Sequence, residues 1–237
     1  IQNMNCTGIS FLVSDVIGDN IDSISSGITY CDKSTFSDSL KTIKKFSLQK
    51  KMPNSVMQVL KSGLKGEIPE TPKKPLIKNI IILNNAVCLS KMKDKSKTLG
   101  FKIHVMSNIT GNLNQITEMI ASTAVNSKNN CIIFGGEPTV TVTGNGKGGR
   151  NQELVLRLYE KLKHQKHHFT IASIGTDGID GNTKFAGSVF STKKNYDGRK
   201  YLKNNDSSSF FKKFGGLIET GITQNNVNDI GVILRHN

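Results

Sequence analysis

Short apolar runs alternate with longer amphipathic stretches along most of the chain, and this alternation predicts strands interleaved with helices. Runs of strand length lie at 9–13, 79–83, 101–106, 130–134, 139–143, 169–174 and 229–234. Helical spacing predicts helices over 34–46, 53–61, 85–99, 114–125, 151–163 and 207–214, with Ser34 as an N-cap, Pro53 as a first helical residue and Gly100 as a stop. The runs at 130–134 and 139–143 read as partner strands joined through Gly135 and Gly136. Strands alternating with helices imply an α/β fold, with a mainly parallel sheet flanked by helices. The segment holding Gly63, Gly66, Pro69, Pro72 and Pro75 reads as a linker and places a boundary at 66–76. Residues 1–70 are then the end of a preceding α/β domain, and 76–237 a C-terminal α/β domain.

Composition narrows the class. A chain of 237 residues can bury a substantial core, and it has no apolar run long enough for a membrane span. The net charge of +14 raises the question of nucleic acid. The lysines, however, fall singly on polar helix faces, arginine is scarce, and no aromatic residues are interleaved as a stacking platform. No specific nucleic-acid partner is expected. Cys6, Cys31, Cys88 and Cys131 are widely spaced and form no C-x-x-C pair, so buried, reduced thiols in a cytoplasmic protein are expected. The start at Ile1-Gln2-Asn3-Met4 resembles neither an initiation site nor a signal peptide, which suggests a piece of something longer. A mitochondrial address would lie in that missing part.

The candidate chemistry is concentrated between residues 135 and 153, in G-G-E-P-T-V-T-V-T-G-N-G-K-G-G-R-N-Q-E. Glycine costs chain entropy, so a cluster of them implies backbone that approaches something closely. The loop through Gly144, Gly146, Gly148 and Gly149 runs into Arg150, Asn151 and Glu153 at a helix start, where amides favour an anion. It matches neither the Walker pattern nor a complete dinucleotide fingerprint. It is therefore either an anion cradle, with Arg150 stabilising charge on a transferred phosphoryl group, or a plain hairpin-to-helix connection. A second loop, 175–181, carries Thr176, Asp177, Gly178 and Asp180. Its two carboxylates are turn formers or ligands for Mg²⁺. Asp15 and Asp19, in a third loop, have the same two readings, and Glu137 either orients a substrate hydroxyl or ends a strand. His164, His167 and His168 fall in a polar connection, with no zinc or serine-hydrolase pattern.

These residues resemble the MOFRL-type glycerate kinases. Gly135, Gly136 and Glu137, the glycine-rich block ending at Glu153, and the 175–181 loop look like that family's signature. Ser14-Asp15-Val16 with Gly18-Asp19 matches its S-D-V-x-G-D, and Ser26-Gly27 with Thr29 its S-G-P-T. Asn205-Asp206-Ser207, Gly215-Gly216 and Thr220-Gly221 extend the likeness, which covers about 9–235, with the MOFRL region at about 129–235. The chain departs in having Leu83-Asn84-Asn85 for G-S-N and Ile28 for the proline. It also resembles only the C-terminal half, without the region that holds the family's catalytic lysine.

The resemblance implies ATP-dependent phosphorylation of D-glycerate to 2-phosphoglycerate with Mg²⁺, in a cleft between two α/β domains. It implies Arg150 as the catalytic arginine. Ser14, Asp15, Gly18, Asp19, Gly135, Gly136, Glu137, Gly146, Gly148, Gly149, Asn151, Glu153, Thr176, Asp177 and Gly178 would bind substrate or nucleotide, and Asp177 and Asp180 the metal. The alternative is a non-catalytic or degenerate relative that binds an anion or a partner. The sequence leaves the oligomeric state and the preferred phosphate donor open.

Overall fold

The computed structural model describes residues 8–74 and 77–236; Cys6, Pro75 and the first four residues lie outside them. The described residues divide into two compact units, one drawn from 8–12, 20–74 and 77–81 and the other from 13–19 and 82–236.

In the first unit β1 (Gly8–Val13) and β2 (Ile77–Leu83) form a two-stranded sheet. The turn before residue 30 is tied to β2, where Thr29 Oγ1 donates to Asn79 Oδ1 at 2.5 Å and Asn79 Nδ2 donates to the Thr29 carbonyl at 3.0 Å. Helix α1 (Phe36–Lys45) starts one residue later than Ser34 predicts. Thr35 and Asp38 make a reciprocal capping box, each side chain accepting the other's amide at 3.2 Å, while Ser34 is held by Asp32. Helix α2 (Asn54–Leu64) begins just after Pro53, and Gly63 lies where a side chain would strike the ring of Phe36.

The second unit is built on a six-stranded sheet. Along the chain come α3 (Asn85–Thr98), β3 (Ile103–Asn112), α4 (Leu113–Asn126), β4 (Cys131–Thr139), α5 (Arg150–Leu162) and β5 (His168–Gly175). They are followed by β6 (Gly187–Ser191), α6 (Arg199–Lys203), α7 (Ser207–Phe214), β7 (Leu217–Ile218) and β8 (Asp229–His236). The order across the sheet is β3-β4-β8-β5-β6-β7. The α/β class and flanking helices are as expected, and β3, β4, β5 and β7 run in one direction. Among the described residues of this sheet only β3 and β4 are parallel neighbours, because β8 enters antiparallel between β4 and β5, and β6 returns antiparallel beside β5.

Apolar periodicity explains the layers. In β4 every residue from Cys131 to Phe134 is buried, since both faces are covered. Ile132 and Phe134 join the larger core with α4, α5 and α7, whereas Cys131 and Ile133 pack with Leu89 of α3. Helix α5 buries Leu154, Val155, Leu156, Leu158, Tyr159 and Leu162. Phe210, fully buried, sits among Tyr159, Phe190, Tyr201, Phe211 and Phe214 at ring separations of 4.9–6.0 Å. Among the described residues no helix is long and apolar enough to cross a membrane.

The strand expected at 139–143 does not form. Instead β4 runs straight through Gly135, Gly136 and Glu137 to Thr139, paired with β3. The glycine pair serves close passage rather than a turn. A Cβ on Gly136 would collide with the backbone of Ile109, where β3 shifts register between Met106 and Ile109 and Asn108 takes φ +54°.

Candidate active site

One end of the sheet brings Glu137 of β4 and Asp229 of β8 together, with Asp180 close by in the loop after β5. Asp229 opens β8 and lies opposite Gly136 of β4 on one side and Gly175 of β5 on the other. Both neighbours lack side chains, which leaves room above Asp229 for a large side chain from α5. That side chain is Arg150. Its Nε and Nη2 donate to the two Asp229 oxygens at 2.6 and 3.2 Å, and its Nη1 donates to Glu137 Oε1 at 3.2 Å. Guanidinium carries five N–H donors. Three are thus committed, and two remain.

The electrostatics follow from burial. The Asp229 side chain is 6% exposed, and burial pushes its carboxyl up to about 6. The hydrogen bond and charge of Arg150 and a hydrogen bond from Asn151 offset part of that rise, and the nearby charge of Asp180 adds to it. Burial opposes the charge on Arg150, but Asp229, Glu137 and Asp180 outweigh it and raise its pKa above the ordinary arginine value.

The helix start behind Arg150 already has its anion. Asp180 is almost completely buried, and its Oδ1 accepts from the Asn151 amide at 2.9 Å and Oδ2 from the Gln152 amide at 2.8 Å. The Asn151 and Gln152 side-chain amides add bonds at 3.2 and 3.0 Å. Burial raises the Asp180 pKa, and the Gln152 and Asn151 backbone hydrogen bonds oppose the rise. With both oxygens doubly engaged, Asp180 caps α5 and does not fit the metal-ligand role expected of it. Among the described residues no group of three or more His, Cys, Asp or Glu side chains is placed to hold a metal ion. Asp177 is tied through Oδ1 to the Ile179 amide at 2.9 Å.

The glycine-rich loop is likewise occupied by its own chain. The amides of Thr143 and Gly144 donate to Asn205 Oδ1 at 2.8 and 2.9 Å, that of Asn145 to Asn204 Oδ1 at 3.1 Å, and that of Lys147 to Asp206 Oδ1 at 2.9 Å. The Gly146 amide donates to the Asn204 carbonyl at 2.9 Å and that of Gly148 to Asn182 at 3.0 Å. A Cβ on Gly144, Gly146 or Gly148 would collide with the 204–207 segment, and one on Gly149 with Asp180. The close approach implied by these glycines is to that segment. The amides from 143 to 148 are not a bare phosphate cradle.

A cavity of about 580 Å³ lies beside these groups, with Arg150, Asp177, Asp180, Gly146, Gly148 and Gly149 among its lining residues. Pro138, Val140, Val142 and Ile179 add apolar lining. Glu153 borders it but is buried and paired, accepting from Arg157 at 2.6 and 2.9 Å and from Asn205 at 3.0 Å. Asn151 is also buried, bridging Asp180, Asp229 and Ser173. Gly178 closes the 176–180 turn at φ +89° against Gly221.

Ser14, Asp15, Gly18 and Asp19 do not line this cavity. Ser14 is buried, its amide donating to the Leu83 carbonyl at 2.9 Å; Gly18 turns at φ +84°. Asp19 accepts from Asn84 at 2.6 Å. Asn228 joins this loop to the site, donating to the Asp15 carbonyl at 2.8 Å while its own carbonyl accepts from Thr176 Oγ1 at 2.7 Å. Sequence reasoning passed over Asp229 and Asn85, whose Nδ2 holds the Val227 and Asp229 carbonyls at 2.8 and 3.0 Å. A carboxylate opening the apolar run of 230–234 was the available signal, since such a group is buried and needs a cation.

Comparison with known proteins agrees with the resemblance. The MOFRL family model matches residues 130–229, and a domain of unknown function, DUF4147, matches 2–61. A glycerate 2-kinase of Pyrococcus horikoshii is 34% identical over 96% of this chain and 56% of its own length. A D-glycerate 2-kinase of Thermotoga maritima is 36% identical over 95% of this chain and 56% of its own. The crystal structure of a Thermotoga maritima glycerate kinase superposes with a TM-score of 0.86 at 32% identity, covering 98% of this chain and 58% of that one. The chain thus spans about half the length of the relatives it matches. It carries a segment that matches the MOFRL family model and one that matches DUF4147, and over nearly its whole length it is similar to part of proteins named as glycerate kinases.

Proposed function

We propose that this chain supplies the arginine half of a glycerate kinase site, which transfers the terminal phosphoryl group of ATP to D-glycerate and yields 2-phosphoglycerate. The observation that carries this reading is Arg150, held by two carboxylates with two N–H donors uncommitted, bordering a cavity large enough for a phosphorylated ligand. The names of its relatives support it. Phosphoryl transfer depends mainly on positioning and on stabilising charge that spreads over the equatorial oxygens. A half-buried guanidinium already held by two carboxylates can meet that charge with little reorganisation.

The carboxylates have separate parts. Asp229 and Glu137 keep Arg150 charged and in place, and Asp180 holds the start of the helix that carries it. To Glu137, which is more exposed than Asp229, we assign the orienting of a substrate hydroxyl. Thr176, Asp177 and Gly178 shape the turn beside the cavity. Asp180, with both oxygens engaged, does not fit a protein-held Mg²⁺, whereas Asp177, held at Oδ1 alone, lines the cavity and is the carboxylate that would face such an ion.

The test is release of ADP from MgATP in the presence of D-glycerate, using the longest protein that contains this chain. Turnover is expected, and Arg150→Ala should lower it at least about a hundredfold, the scale of one lost preorganised donor. Near-normal turnover in that variant would remove the assigned role. The internal use of the 143–148 amides favours a second reading, a non-catalytic relative that binds an anion at Arg150 alone. Saturable binding of MgATP without ADP release would select it.

A further inference from the structure

Asp229 is an expensive residue to place where it is. An apolar side chain between Gly136 and Gly175 would avoid desolvating a carboxylate, and buried ion pairs are seldom the more stable choice. The geometry suggests another use. Its two oxygens take the Nε and Nη2 edge of Arg150, fixing the guanidinium plane as well as its position. Asn151 Nδ2 donates to Asp229 Oδ1 at 2.9 Å, and Asn85 pins its carbonyl at 3.0 Å, so the carboxylate cannot swing away.

We infer that Asp229 is the positioning residue of this site: it clamps one edge of Arg150 so that the two uncommitted N–H groups are presented to the cavity. This chemistry rests on the kinase reading. Glu137 alone would not suffice, because its single bond to Nη1 leaves the guanidinium free to rotate about that contact. The other groups around Asp229 are Asp180 and Asn151 at the start of α5, Asn85 on α3 and Asp177 beyond Gly175.

Two measurements separate the inference from the reading beneath it. In the longest available protein, Asp229→Asn should lower kcat for MgATP and D-glycerate about a hundredfold while both KM values stay within about threefold. Arg150→Ala combined with Asp229→Asn should be no slower than Arg150→Ala alone, because Asp229 acts only through Arg150. Losses that multiply, a change confined to KM, or unchanged kinetics would overturn the proposal.

The second measurement uses the wild-type protein and needs no turnover. Hydrogen exchange at the Arg150 Nε–H, followed by NMR, should be at least about tenfold slower than at Arg199, whose pair with Asp197 is exposed. Equal rates overturn the clamp, even where the variants fail to fold. Slow exchange in a protein without turnover would sink the kinase reading and leave the clamp standing.

Discussion

Asp180 accepts the amides of both Asn151 and Gln152, at 2.9 and 2.8 Å, so the positive end of α5 is neutralised from within. Removing it strands two backbone and two side-chain donors in a buried place. Asp180→Ala should therefore lower stability by about 3 kcal/mol, measured by urea denaturation. An effect below about 1 kcal/mol would mean that water replaces the carboxylate there.

Asn205 does for the glycine-rich loop what Asp180 does for the helix. It accepts two loop amides, from Thr143 and Gly144, and donates to buried Glu153. Asn205→Ala should loosen 143–149, raising amide exchange there about tenfold or more and leaving β4 and β5 protected. Uniform protection across all three segments would contradict this account.

The pH dependence of stability carries the mark of Asp229. Its carboxyl is raised from 3.8 to about 6 in the folded protein, so between those values the folded state binds more protons than the unfolded one. This group therefore makes stability fall as pH rises through that window. Relative to Asp229→Asn, the wild type should be less stable above about 6 than it is between 3.8 and 6. Denaturant midpoints of both proteins on either side of about 6 check it, and a constant gap would refute it.

Phe210 tests the aromatic core. It is completely buried and packs against five rings. Phe210→Ala should cost about 3–5 kcal/mol in the same denaturation experiment.

Elements with strong local patterns were legible in the sequence. Helix α3 is bounded by Asn84 as N-cap and Gly100 as stop, and β5 shows regular alternation of buried and half-buried positions. Strand β6 was missed, because its glycine and serines dilute a five-residue pattern, and α6 is only five residues long. At the site, the glycine spacing correctly signalled close approach but could not name its object. The 204–206 segment lies about sixty residues away, beyond any local pattern. The same holds for Arg150, read as an anion-binding group from its place at a helix start. The sequence marks Asp229 as a carboxylate opening an apolar run, but its pairing with Arg150 follows only from the register of β8 between two glycines.

The position of β8 also bears on how the protein is made. A ribosome releases β4, α5 and β5 well before the strand that separates them in the finished sheet. Until residues 229–236 emerge, β4 and β5 lack their shared neighbour and Arg150 lacks its deepest counter-charge. A nascent chain would thus hold an unsealed seam down the middle of its sheet, and ligand-binding competence should appear late and abruptly during synthesis.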